Sequence, residues 1–177
     1  MADYQQIVDP RLLARVAECY QAETDELQRM GFRYLGDCLE IMGPYSAVYL
    51  FLVVLLAHRK REVLTFPSPL RLAVGNRLLA HADPPCIALT MGMGTKLYTG
   101  FDDGTLLLSS DFASMAKPRP ESPILRLAPA PTLAKAWQAH LRQAELLAAG
   151  SKRWITEMTF EMYVRWSTVE EDLSQYY

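Results

Sequence analysis

The chain has 177 residues, half of them hydrophobic and 21% charged, which supplies one domain with a sizeable core and excludes a disordered chain. A formal net charge of -2, from 18 basic and 20 acidic residues, leaves no electrostatic footprint for nucleic acid. Cys19, Cys38 and Cys86 are too few and too widely spaced for a disulfide framework, and they suit a reducing compartment.

The first residues, Met1 to Val8, have neither a positive cluster nor an apolar core, so no secretory signal is expected. Asp9-Pro10 opens a helix, because an Asp carboxylate can accept from the free N–H groups of the first turn and proline loses nothing there. Leu13, Val16, Tyr20, Leu27 and Met30 form its apolar stripe, and Gly31 is placed to end it in a left-handed conformation. Phe32 to Leu39 reads as a short strand, and Gly43-Pro44 is a break.

Ile41 to Ala57 carries no charge and runs into His58-Arg59-Lys60-Arg61. Three readings compete. As a strand it shows no alternation and must be buried on both faces. As a buried helix it is apolar all round, which a domain of this size hardly encloses. As a membrane helix, Pro44 fits the first turn, Tyr45 and Tyr49 suit the headgroup level, and Arg59, Lys60 and Arg61 can reach phosphates at the other end. A helix from Pro44 to Arg61 is about 27 Å long, slightly short of a full hydrocarbon core. The basic flank then predicts a cytoplasmic location for the larger C-terminal part.

Glu62 to Phe66 reads as extended, and Pro67 to Pro85 is broken by prolines and glycine, with short apolar pieces at Leu70 to Val74 and Leu78 to Ala80. Leu97 to Phe101 and Thr105 to Ser110, joined through Asp102-Asp103-Gly104, predict a tight hairpin, with Cys86 to Met91 as a third neighbouring strand. Lys117 to Pro131 holds five prolines and reads as a connector. Thr132 or Pro131 starts a second helix, with Leu133, Trp137, Leu141, Ala144 and Ala148 on one face and Gly150 as its stop. The end is expected to be extended from Trp154 to Met158, then helical from Phe160 to Trp166. Ser167-Thr168-Val169-Glu170 has the spacing of a capping box that restarts a short helix.

The expected fold is α+β: an antiparallel sheet of three to five strands flanked by two amphipathic helices, with one very apolar segment that is a membrane helix or a buried strand. Along the chain this gives a helix and strand over 1–40, the apolar segment and basic flank over 41–61, sheet over 62–116, the connector over 117–131 and a helical region over 132–177, in one domain.

Motifs for chemistry are weak. Gly92-Met93-Gly94-Thr95-Lys96 misses the phosphate-loop pattern, since Thr95 separates the second glycine from the lysine and no hydroxyl residue follows. His58, His81 and His140 lack ligand spacing, and Cys86 near His81 is a single pair, so neither a metal nor any other cofactor is expected. Asp102 and Asp103 read as turn residues. No nucleophile elbow is present. Trp154, Tyr163, Trp166, Tyr176 and Tyr177 gather near the end, where they form either a protein interface or a cover for the sheet.

Gly31-Phe32-Arg33-Tyr34-Leu35-Gly36-Asp37, the apolar run, Leu97 to Thr105 and the helix with Trp137 and His140 occur in an order that resembles a loose group of uncharacterised bacterial α+β proteins. Some members carry a hydrophobic segment in the same place; the resemblance implies no activity, cofactor or site residue.

The sequence therefore points to a non-enzymatic accessory or interaction protein at the bacterial inner membrane. Tyr45, Tyr49, Phe51, Leu52, Leu55, Arg59, Lys60 and Arg61 are its expected contacts with lipid or a membrane subunit. The alternative is a cytoplasmic small-molecule binding domain or enzyme with a pocket between the sheet and the helix Thr132 to Ala149.

Overall fold

The computed structural model describes residues 3–41, 75–112, 116–118, 122–172 and 174–176. The apolar segment after Ile41, its basic flank and the pieces Glu62–Phe66 and Leu70–Val74 lie outside them, as does Tyr177.

Strands β1 (Asp3–Gln6), β2 (Arg33–Ile41), β3 (Asn76–Ala82), β4 (Pro85–Met91), β5 (Gly94–Gly100) and β6 (Leu106–Ser110) pair antiparallel in chain order. After β7 (Ala116–Pro118), β8 (Ile124–Arg126) joins the β6 edge in parallel, completing a seven-stranded mixed sheet. The fold is α+β as expected, but three to five antiparallel strands understates it. The excess comes from β1, a polar tetrapeptide, and from β8, inside the proline-rich connector. Proline's missing donor confines that stretch to edges, and both β7 and β8 are short edge strands.

The central strands lack alternation because both faces of the sheet are covered. Leu78 and Leu79 are both fully buried, as are Ile87 and Ala88. A doubly covered strand reads as a continuous apolar run. One face carries α1 (Pro10–Cys19), α2 (Gln21–Arg29) and α3 (Leu133–Ala149); the other carries α4 (Phe160–Asp172). Strand β9 (Ser174–Tyr176) follows α4 and pairs with β7.

Asp9 caps α1 by accepting from Arg11 and Leu12 N–H, with Pro10 as the first helical residue. The single helix expected up to Gly31 is two helices, broken at Tyr20. The break turns Tyr20 into the core, where its hydroxyl donates to the Gly75 carbonyl at 2.9 Å. Gly31 does adopt positive φ, at 95°. Thr132 caps α3 as expected.

Helix α4 corrects a second expectation: it is continuous, with no restart at Ser167. The Ser167 and Thr168 hydroxyls donate back to the Val164 carbonyl, so neither serves as a cap. This continuity puts Tyr163, Trp166 and Glu170 on one stripe facing the sheet, where all three are buried.

Candidate functional site

Residues 42–74 are flanked in the chain by β2 and β3. Strands β2 and β3 are hydrogen-bonded neighbours, paired from Arg33↔Ala80 to Cys38↔Asn76 with a register shift between Tyr34 and Gly36. At the foot of this pair Asp37 and Arg77 are cross-strand partners. Their side chains form a two-point ion pair, Nε to Oδ1 at 2.9 Å and Nη2 to Oδ2 at 3.0 Å. Asp37 is 1% exposed, and its remaining capacity is met by the Tyr34 hydroxyl at 3.1 Å. Burial and the Asp37 charge push the Tyr34 phenol up to about 12. The Arg77 guanidinium also lies over the Tyr34 ring, 5.0 Å from its centroid. A charged clamp thus fixes the root from which residues 42–74 depart.

The expected membrane helix lies outside the described residues. Among the described residues no helix is long and apolar enough to cross a membrane. Tyr45, Tyr49, Phe51, Leu52, Leu55, Arg59, Lys60 and Arg61 lie outside those residues.

The C-terminal aromatics divide. Tyr163 is fully buried and Trp166 is 5% exposed, both in the core between α4 and the sheet. They serve this chain's own packing. Trp154 is partly buried beside Phe101, to which it is bridged, and Tyr176 ends β9.

The site expected between the sheet and α3 is filled by Leu133, Ala136, Trp137, His140 and Ala144. His140 is fully buried. Thr99 Oγ1 donates to the Pro85 carbonyl at 2.8 Å, so it accepts from His140 Nε2 at 2.9 Å. Ser109 Oγ then donates to Nδ1 at 2.8 Å, and Cys86 Sγ lies 3.8 Å from Nε2. The arrangement has the members of a nucleophile and base pair without the access. Burial pulls the imidazole down to about 3 and pushes the Cys86 thiol up to about 12, so both are neutral and closed from solvent. Cys86 is opposite His81 in the ladder, but its side-chain partner is His140. His81 donates Nδ1–H to the Pro84 carbonyl and packs against both Phe32 and Trp137, which also touch each other. Among the described residues no group of histidine, cysteine and carboxylate can hold a metal.

On the opposite face, Glu170 reaches into the sheet from α4. It accepts from Lys96 Nζ at 3.0 and 3.2 Å, from Arg126 Nη2 at 2.6 Å and from the Tyr98 hydroxyl at 2.8 Å. Burial raises its carboxyl, but Lys96 and Arg126 outweigh that and hold it below the usual value. Burial, then the Glu170 charge, raises the Tyr98 phenol. Nearby, Gly100, Asp102, Leu106, Ile155, Arg165 and Trp166 line much of a cleft of about 160 Å³. Ligand pockets are commonly about 300 Å³ or more, so the cleft is too small for a drug-sized molecule.

Asp102 and Asp103 are turn residues, as expected. Asp102 accepts from Arg153 N–H, while Asp103 accepts from Thr105 N–H and pairs with Lys152. The latter contacts lower the Asp103 carboxyl to about 2. Gly92 and Met93 form the β4–β5 turn, and the Gly94 backbone at φ 137° leads into β5. This is a hairpin rather than a phosphate loop. Sequence reasoning missed His140 and Glu170, although each had a signal: a polar residue recurring with Trp137 and Ala144, or with Tyr163 and Trp166, on an apolar stripe. No protein-family model matches the chain, and no curated protein or solved structure matches it either.

Proposed function

We propose that this is a non-enzymatic interaction protein in which the α+β unit presents residues 41–57 and the basic flank Arg59–Arg61 to the bacterial inner membrane or to an apolar subunit within it. The observation that supports the reading is the β2–β3 ladder, tied by Asp37 and Arg77, whose two strands flank a stretch that opens with an uncharged apolar run and continues into the basic cluster. Transfer of such a run into lipid or against a greasy partner is favourable per unit of apolar area. Basic residues beside it add attraction to anionic headgroups. With both flanks in one sheet, the attachment is one-sided, and the folded unit sits on the cytoplasmic face with the basic flank.

The test is fractionation of cells expressing the full chain. The protein is expected to sediment with membranes, to resist a high-salt wash and to be released by mild detergent. Leu52→Arg is expected to move it to the supernatant with its circular dichroism spectrum unchanged, because a charge among apolar contacts is costly. Recovery of the unaltered protein in the supernatant without detergent overturns the reading.

A further inference from the structure

Among the described residues, the polar cluster beneath α4 holds two cations for one carboxylate. Lys96 and Arg126 both bind Glu170, and the Tyr98 hydroxyl is neutral. Arg126 gives Glu170 a single Nη2 bond, while its Nε–H is buried with no hydrogen-bond partner. Pinning a helix to a sheet takes one cation per carboxylate, so the second is in excess. A largely buried guanidinium that shares its carboxylate with a second cation and leaves one N–H unmet is stabilised by a further anion. The nearby Asp111 does not fill this role, since it is engaged by Thr95 N–H and sits among Glu23 and Glu26 on the α2 side.

We infer that Lys96 and Arg126 form a recognition site for a phosphate-type oxyanion, with Glu170 as the resident carboxylate that positions both cations. Guanidinium donors in a fixed fork match a phosphate or carboxylate edge, and Arg126 has the buried half of that fork unused. The cations reach the rim, the side chains of Lys96 and Arg126 being 18% and 15% exposed against 5% for Glu170, while the Arg126 Nε–H lies just inside it. Placement favours phosphate at a membrane surface. Lys96 lies near the start of β5 and Arg126 ends β8, at the end of the sheet where β2 ends and β3 begins. The anion is therefore either free phosphate or the phosphate of a lipid headgroup. The site does not depend on the membrane reading, because free phosphate would bind in either case.

Titration of the full-length protein with inorganic phosphate, at ionic strength held constant with chloride, tests this. Saturable binding is expected, with a shift of the Arg126 Nε–H resonance. Arg126→Gln should weaken binding at least about tenfold, the scale of one charge-assisted hydrogen bond. Arg142→Gln, on the exposed side of α3, should not change it. If Arg126→Gln fails to fold, the Arg126 resonance of the unaltered protein still decides. No phosphate-specific shift there, or equal affinity in Arg126→Gln, overturns the site. Vesicles of phosphatidylglycerol and of phosphatidylcholine then separate the sources. Reduced phosphatidylglycerol binding by Arg126→Gln supports a headgroup, and unchanged vesicle binding beside lost phosphate binding supports a free anion.

Discussion

The two faces of the sheet bury polar clusters of opposite design. Beneath α3, His140, Ser109, Thr99 and Cys86 are neutral, mutually satisfied and sealed. Beneath α4, Glu170, Lys96 and Arg126 are charged, with two cations to one carboxylate among the described residues, and the two cations are partly exposed at the rim. A sealed neutral cluster fixes register and packing. A charged cluster with an unmet donor is the feature on which the proposed anion site rests, so burial and polarity alone do not distinguish scaffold from site.

Removal of one charge should separate them most strongly. Glu170→Gln leaves two buried cations without their carboxylate and is expected to lower unfolding free energy by about 3–5 kcal/mol. In urea titrations phosphate should restore more of that loss than it adds to the unaltered protein. Equal phosphate effects in both would erase the proposed difference between the faces.

Acid should act first on the α3 face. Above pH 6.5 His140 is neutral folded or unfolded. Below it the unfolded chain gains a proton that the folded imidazole refuses until about pH 3, so stability falls as pH drops through that window. The loss approaches about 1.4 kcal/mol per pH unit, or roughly 2 kcal/mol by about pH 5. Glu170, held below its ordinary 4.5, contributes only as pH falls under that value. Urea midpoints at pH 7 and 5 should therefore diverge in the unaltered protein and converge in His140→Gln.

A smaller effect is expected at Gly100, where an added Cβ would lie 2.6 Å from the Trp166 ring. Gly100→Ala should cost about 1.5 kcal/mol, toward the lower end of overpacking, because the adjoining cleft gives the indole room to move. Thermal denaturation with Trp fluorescence reads both the loss and the shift. Smallest is Lys152→Ala, which removes the surface partner of Asp103 and should leave the urea midpoint within error of the unaltered protein.

What could be read from the sequence was local. The start at Asp9-Pro10, the hairpin around Asp102-Asp103-Gly104 and the helix from Thr132 to Gly150 depend on neighbours within a few residues, and the structure has them. The break at Tyr20 depends on a bond to Gly75, far along the chain. Strand β8 needs the β6 edge to exist, and the pairing of β1 with β2 adds two ends of a region that showed only helix and strand propensity. Glu170 looked like a capping residue because Ser167-x-x-Glu170 has that spacing; only the sheet below, with Lys96 and Arg126, turns it inward. The unbroken apolar run was legible as a feature, while the pairing of the strands that flank residues 42–74 came from the β2–β3 ladder.

The most direct test of that attachment is labelling by a membrane-impermeant maleimide in inner-membrane vesicles of known orientation. In a Cys19→Ser background, single cysteines at Asp25 in α2 and Arg142 in α3 report the two flanks of residues 42–74. The account predicts that both are labelled from the cytoplasmic side only. Labelling of the two positions from opposite sides of the membrane would contradict it.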